Sequence, residues 1–130
     1  MSTLKDNLTN INFAQARRIM RACAEAGAPV FLWGMPGVGK TAIVNDLGAD
    51  MQLPVEVSMG STLDPTDTGG FPVVQAGDRE FKRIPMTQFR LAAERRSIVF
   101  LDEYPCAPRA VGASMMRVVN EGVAGDVRLR

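Results

Sequence analysis

The stretch FLWGMPGVGKTAIV, residues 31–44, changes character twice. With Val30 before it, its apolar start is the kind of short continuous run that fills a strand buried on both faces of a parallel sheet. The run stops at Gly34, loops through Pro36 and Gly37, and restarts behind Lys40 and Thr41 as a helix pattern over about residues 40–50. Gly34, Met35, Pro36, Gly37, Val38, Gly39, Lys40 and Thr41 fit G-x-x-x-x-G-K-[ST] in full. The pattern has a physical reason. Loop N–H groups and an open helix N-terminus make a nest for an anion, and glycines stand where φ turns positive or a phosphate lies against the backbone. Lys40 is placed to reach the β- and γ-phosphates of a nucleotide, and the Thr41 hydroxyl to ligate Mg²⁺. The plainer alternative is a flexible glycine-rich loop that happens to contain Lys-Thr. Its position between a strand and a helix argues against that.

SIVFLDE, residues 97–103, is the second informative stretch. It is a buried strand delivering Asp102 and Glu103 at its C-terminal end, where ligands bind in open α/β sheets. Asp102 can hold the Mg²⁺ shell, and Glu103 can polarise an attacking water. A carboxylate must take that second role here, since the chain has no His. An apolar run ending in Asp-Glu is a weak signal alone and a strong one downstream of the glycine loop.

Around these motifs the pattern is α/β. Asn12 and Gln15 form a capping pair for a first helix whose apolar face is Phe13, Ala16, Met20 and Cys23, ended by Gly27 and Pro29. Residues 55–58 read as a strand after the glycine-loop helix, giving a strand–helix–strand unit. Asp64 and Pro65 open a short helix that Gly69 and Gly70 break. Val73, Val74, the QAGD turn and residues 80–84 read as a β-hairpin, and residues 86–96 as a helix. Pro108 opens a last helix with the stripe Val111, Met115, Val118, Val119 and a stop at Gly122. VAGDVRLR then reads as a turn entering a strand that has just begun.

Composition narrows the class further. A chain of 130 residues with 46% hydrophobic and 22% charged residues has the length and balance of one globular domain. Its net charge of +1 gives no bulk attraction to nucleic acid or membrane. Arg79, Lys82 and Arg83 form only a small basic cluster on the hairpin. No stretch is long enough to span a bilayer and MSTLKDNLTN lacks the core of a signal peptide, so the expected location is cytoplasmic. Cys23 and Cys106 are unpatterned: two reduced thiols, or else a disulfide or a metal site.

The motifs together resemble AAA+ ATPases, and within them the MoxR-like group. The resemblance runs from about Phe13 to the end: GMPGVGKT, DPTDTGGFPV, IVFLDE, APRAV, then MMRVVNEGVAG and VRL. It implies a P-loop NTPase fold of three αβα layers with a mostly parallel sheet. It makes Gly34 to Thr41 the Walker A loop, Asp102 the Mg²⁺-associated acid and Glu103 the catalytic acid beside Lys40. ATP and Mg²⁺ are the implied cofactors. The implied assembly is a ring, in hexamer form, that remodels or assembles protein complexes of unread identity. Residues 69–85 become a hairpin insertion facing a central pore, where Phe71 or Phe81 grips a substrate unless both are core aromatics. The family usually follows Asp-Glu with Ile-Asn and a basic residue; here Tyr104, Pro105 and Cys106 follow, and Arg109 is either a substitute interface charge or a solvated helix-start arginine.

In the resembled family a further strand lies between the Walker A and Walker B strands, and sensor residues, an arginine finger and a helical lid come later. The expectation is therefore an incomplete module over residues 1–130, with a tail at 1–11, truncated after the Walker B strand and its following helix. Direct pairing of residues 98–101 with 30–33 would contradict it. Two other readings stay open: a nucleotide-binding module without turnover of its own, and a small P-loop kinase or GTPase. The last is disfavoured by Glu103 following Asp102 and by the absence of N-K-x-D.

Overall fold

A computed structural model describes residues 10–130, so the tail expected over 1–11 falls almost wholly outside the described residues, as does most of the segment read for a signal peptide. Helix α1 (Phe13–Glu25) starts as the sequence predicts. The Asn12 side chain accepts the Gln15 N–H at 2.9 Å, and the Gln15 side chain accepts the Asn12 N–H at 2.9 Å. Ala16 and Met20 bury one face against Ile43, Val44 and Leu47 of α2 (Lys40–Met51). Arg17 on α1 is bonded to Asp50 on α2; that hydrogen bond and the carboxylate's charge push the Arg17 pKa above its ordinary value.

Strand β1 (Val55–Met59) pairs in parallel with the acid-bearing strand, in a register that sets Val55 opposite Ile98 and Met59 opposite Asp102. Between them in sequence come a 3-10 turn at Gly60–Thr62, helix α3 (Pro65–Gly69), and the antiparallel hairpin β2 (Phe71–Val73) and β3 (Lys82–Ile84). Helix α4 (Thr87–Glu94) then leads into β4 (Ile98–Asp102). Asp64 opens α3 with a reciprocal cap to Asp67 and with Pro65 in the first turn, where a missing N–H costs nothing.

Side chains of β4 alternate between two cores. Ile98 and Phe100 pack on the α1/α2 cluster, whereas Val99 and Leu101 pack on Phe89, Val118 and Ala124. Phe89 comes from α4 and Val118 from α5 (Arg109–Glu121), so helices cover both faces of the parallel pair in an αβα arrangement. Of the expected apolar stripe of α5, Val111, Met115 and Val118 are buried, whereas Val119 is 37% exposed.

Two expectations need correction. Residues 30–33 form no strand: Leu32 packs on the α1/α2 core, but Val30, Phe31 and Trp33 are exposed. A strand is defined by a partner, and the only partner of β4 among the described residues is β1. The sheet between the helices is the parallel β1–β4 pair, as expected, and the two antiparallel pairs are separate from it. Finally, the C-terminal VAGDVRLR does not merely enter a strand. It folds back on itself as β5 (Val123–Ala124) and β6 (Val127–Arg128) around Gly125, whose φ is +55°.

Candidate nucleotide site

The glycine loop ends on Gly39, which caps α2 from the left-handed region at φ 93° and offers no side chain to the first turn. No acidic residue lies in that turn either. The N–H groups at the helix start are therefore free for an outside acceptor, at the positive end of a twelve-residue helix. Space at Gly39 is also tight, because a Cβ there would stand 3.3 Å from the Phe13 ring. Residue 13, which sequence reasoning assigned to the helix face alone, thus walls one side of the loop.

Lys40 turns back onto its own loop. Its Nζ donates to the carbonyls of Gly34 at 3.1 Å and Met35 at 3.0 Å. The lysine charge is held at the loop, satisfied by two neutral carbonyls that a charged acceptor would outcompete.

Next to it in sequence, Thr41 crosses to the second motif: its Oγ1 donates to Asp102 Oδ2 at 3.0 Å. Parallel pairing brings this about, since β4 delivers Asp102 at its C-terminal end beside the start of α2. The other Asp102 oxygen, Oδ1, accepts the Glu103 N–H at 2.8 Å, which fixes the carboxylate between the two motifs. A hydroxyl and a carboxylate at this separation are the hard oxygen pair that suits Mg²⁺, an ion that takes its remaining ligands from phosphate and water. No group of three or more His, Cys, Asp or Glu converges among the described residues.

Glu103 itself has left the strand, with φ +54°. The Ser61 hydroxyl donates to its Oε2. Ser61 lies in the turn after β1, and that turn approaches closely because Gly60 has no side chain: a Cβ would meet Ala107 Cβ and the Glu103 carbonyl at 3.0 Å. Sequence reasoning missed Ser61. The signal that would have found it is the β1–β4 register, which sets Met59 opposite Asp102 and so brings the next residues of both strands together.

The remaining sequence candidates sort plainly. Gly34, Met35, Pro36, Gly37, Val38, Gly39, Lys40 and Thr41 form one continuous loop and helix start, and Asp102 meets it through Thr41. Tyr104, Pro105 and Cys106 make a 3-10 turn, with the Cys106 N–H donating to the Glu103 carbonyl at 2.9 Å. Arg109 is exposed at the first position of α5. Phe71 and Phe81 are 63% and 55% exposed, which removes the core reading of both. No described helix is long and apolar enough to cross a membrane.

Comparison with known proteins adds one match. Residues 30–121 match the family described as ATPase family associated with various cellular activities (AAA). No curated protein and no solved structure matches the chain. The family match begins at the apolar run before the glycine loop and ends on the last residue of α5, taking in Lys40, Thr41, Asp102 and Glu103 together. Over most of its length, therefore, this chain belongs to the AAA family of ATPases.

Proposed function

We propose that the chain binds ATP with Mg²⁺ and hydrolyses it as part of a MoxR-like AAA+ ATPase that remodels or assembles protein complexes in the cytoplasm. The observation that carries this reading is the Thr41–Asp102 contact, with Glu103 next in the chain. In this reading the loop N–H groups and the start of α2 hold the phosphates. Lys40 exchanges the carbonyls of Gly34 and Met35 for phosphate oxygens, and Thr41 with Asp102 holds the metal. Bound Mg²⁺ would neutralise phosphate charge. The Ser61 hydroxyl holds Glu103 by Oε2, and the other carboxylate oxygen, Oε1, is the one left to accept a proton from water.

The wider assembly belongs to the same proposal. Residues 1–130 are read as part of a longer module that works as a ring, a hexamer, in which a neighbouring subunit supplies an arginine to each site. Such a charge is worth roughly 10³–10⁵ in rate in this chemistry. A strand from outside these residues would run between residues 30–33 and β4. Support for this comes from the exposure of Phe31 and Trp33 and from β4 having one strand partner among the described residues. Phe71 and Phe81 on the β2–β3 hairpin are the proposed contacts to a protein substrate.

A second reading, nucleotide binding without turnover, is favoured by the engagement of Glu103 with Ser61 and of Lys40 with its own loop. Steady-state ATP hydrolysis with Mg²⁺ by the longer module assembled as a ring, beside nucleotide binding, separates the two. The expected result for Glu103→Gln is retained binding and a loss of about 10²–10⁴ in turnover, the usual worth of a positioned base. Binding with no turnover in either form selects the second reading, and no binding at all defeats both.

A further inference from the structure

The backbone of Arg83 is gripped from two sides. Its N–H donates to Asp126 Oδ2 at 2.6 Å, and its carbonyl accepts the Asp126 N–H at 3.0 Å. This reciprocal pair joins β3 to the turn between β5 and β6. Two glycines permit the approach. A Cβ at Gly125 would stand 2.5 Å from the Arg83 carbonyl oxygen, and one at Gly70 would stand 2.7 Å from Arg83 Cβ. Both have positive φ, +55° and +85°, so any other residue would meet backbone strain as well as a clash.

The same turn is tied to the helices behind it. The Gly125 N–H donates to the Thr68 carbonyl of α3 at 2.9 Å, and the Gly125 carbonyl accepts from Arg117 Nη1 of α5 at 3.4 Å. Thr68, 1% exposed, shares a hydroxyl contact with Ser114 of α5. On the outer side, the Arg83 guanidinium lies over the exposed Phe81 ring, 5.6 Å from its centroid. A continuous path therefore runs from Phe81 through Arg83 and the Gly125–Asp126 turn into α3 and α5.

We propose that the Gly125–Asp126 turn is a latch that makes the β2–β3 hairpin and the α3–α5–β5–β6 unit move as one body, with Asp126 as its positioning residue. A hairpin with three-residue strands is marginal by itself. The latch supplies the anchoring that its own ladder lacks, and it carries any displacement at Phe81 to α5 rather than absorbing it at the hairpin base. This inference does not rest on the nucleotide reading.

The test is residue-resolved amide exchange by NMR on the full chain, wild type beside Asp126→Ala and Asp126→Asn. Asp126→Ala is expected to speed exchange of the β2–β3 ladder amides by roughly tenfold, the scale of one lost charged-acceptor hydrogen bond. Amides of α2, β1 and β4 keep their wild-type rates. Asp126→Asn retains an oxygen that accepts the Arg83 N–H and is expected to restore most of the protection. Gly125→Ala, which pushes the turn off the Arg83 carbonyl but keeps Asp126, should loosen the hairpin alike if the alanine variant at 126 fails to fold. Unchanged ladder exchange overturns the latch. So does a uniform rise through β1 and β4, which would make Asp126 a residue of general stability only.

Discussion

The apolar part of β4, residues 98–101, and the segment before the glycine loop are both four-residue runs ending at chemistry, yet they sit in different surroundings. β4 has β1 beside it from Val55↔Ile98 to Met59↔Asp102, and helices on both faces. Residues 30–33 have no strand partner among the described residues; Leu32 alone packs inward, and Trp33 is 78% exposed. Apolar character places a side chain in a core only where backbone groups on the same strand are also satisfied. The glycine loop therefore hangs from a helix behind it, while the acid pair hangs from a covered sheet. The two halves of the candidate site meet in the Thr41–Asp102 hydrogen bond, with α2 packed on Ile98 and Phe100 of β4 behind it.

The sharpest way to break this comparison is to empty the covered side. Phe89 on α4 is fully buried against Val118 and Ala124, with Val99 and Leu101 of β4 over it. Phe89→Ala leaves a cavity under the acid-bearing strand and is expected to cost about 3–5 kcal/mol in urea unfolding. A cost near that of an exposed substitution would mean that β4 is not held by this core.

A smaller effect sharpens the catalytic half. Ser61→Ala removes the hydroxyl that engages the Glu103 carboxylate. Loss of one hydrogen bond at an exposed site is expected to cost about 0.5–1.5 kcal/mol at most. Under the proposed function it also raises Glu103-dependent ATP turnover, because both carboxylate oxygens are then open to water. Reduced turnover with unchanged stability would instead make Ser61 the group that aims Glu103.

These two regions also differ in how much of them could be read from residues alone. The glycine loop, the capping pair Asn12 and Gln15, the Asp64–Pro65 helix start and the α5 stripe were all legible, because each is set within a few residues by local rules. Asp102 and Glu103 were legible as a pair, since an apolar run fixes where a strand ends. What escaped were relations across the chain. Ser61 meets Glu103 only through the parallel register of β1 and β4, and Phe13 meets Gly39 only through the packing of α1 on α2. The 30–33 run was misread as a strand for the same reason in reverse: its composition is that of a strand, but composition does not supply a neighbour. Asp126 could not be anticipated either, since its partner is the backbone of Arg83 and carries no side-chain signature.

The smallest expected effect tests the weaker support directly. Trp33 is 78% exposed and stacks only on Phe31, at 5.9 Å between ring centroids, while Phe31 in turn meets the edge of Tyr104 at 6.1 Å. An aromatic so placed contributes little to the fold of the isolated chain. Trp33→Ser should therefore change the unfolding free energy by no more than about 0.5 kcal/mol, the range of ordinary surface substitutions. The same measurement repeated across a range of protein concentrations gives the comparison its edge. A stability loss well above that range, present only at high concentration, would mean that a second copy covers residues 30–33 in solution. A loss independent of concentration would mean that the run is buried within one chain after all, and the contrast between the two regions would fail.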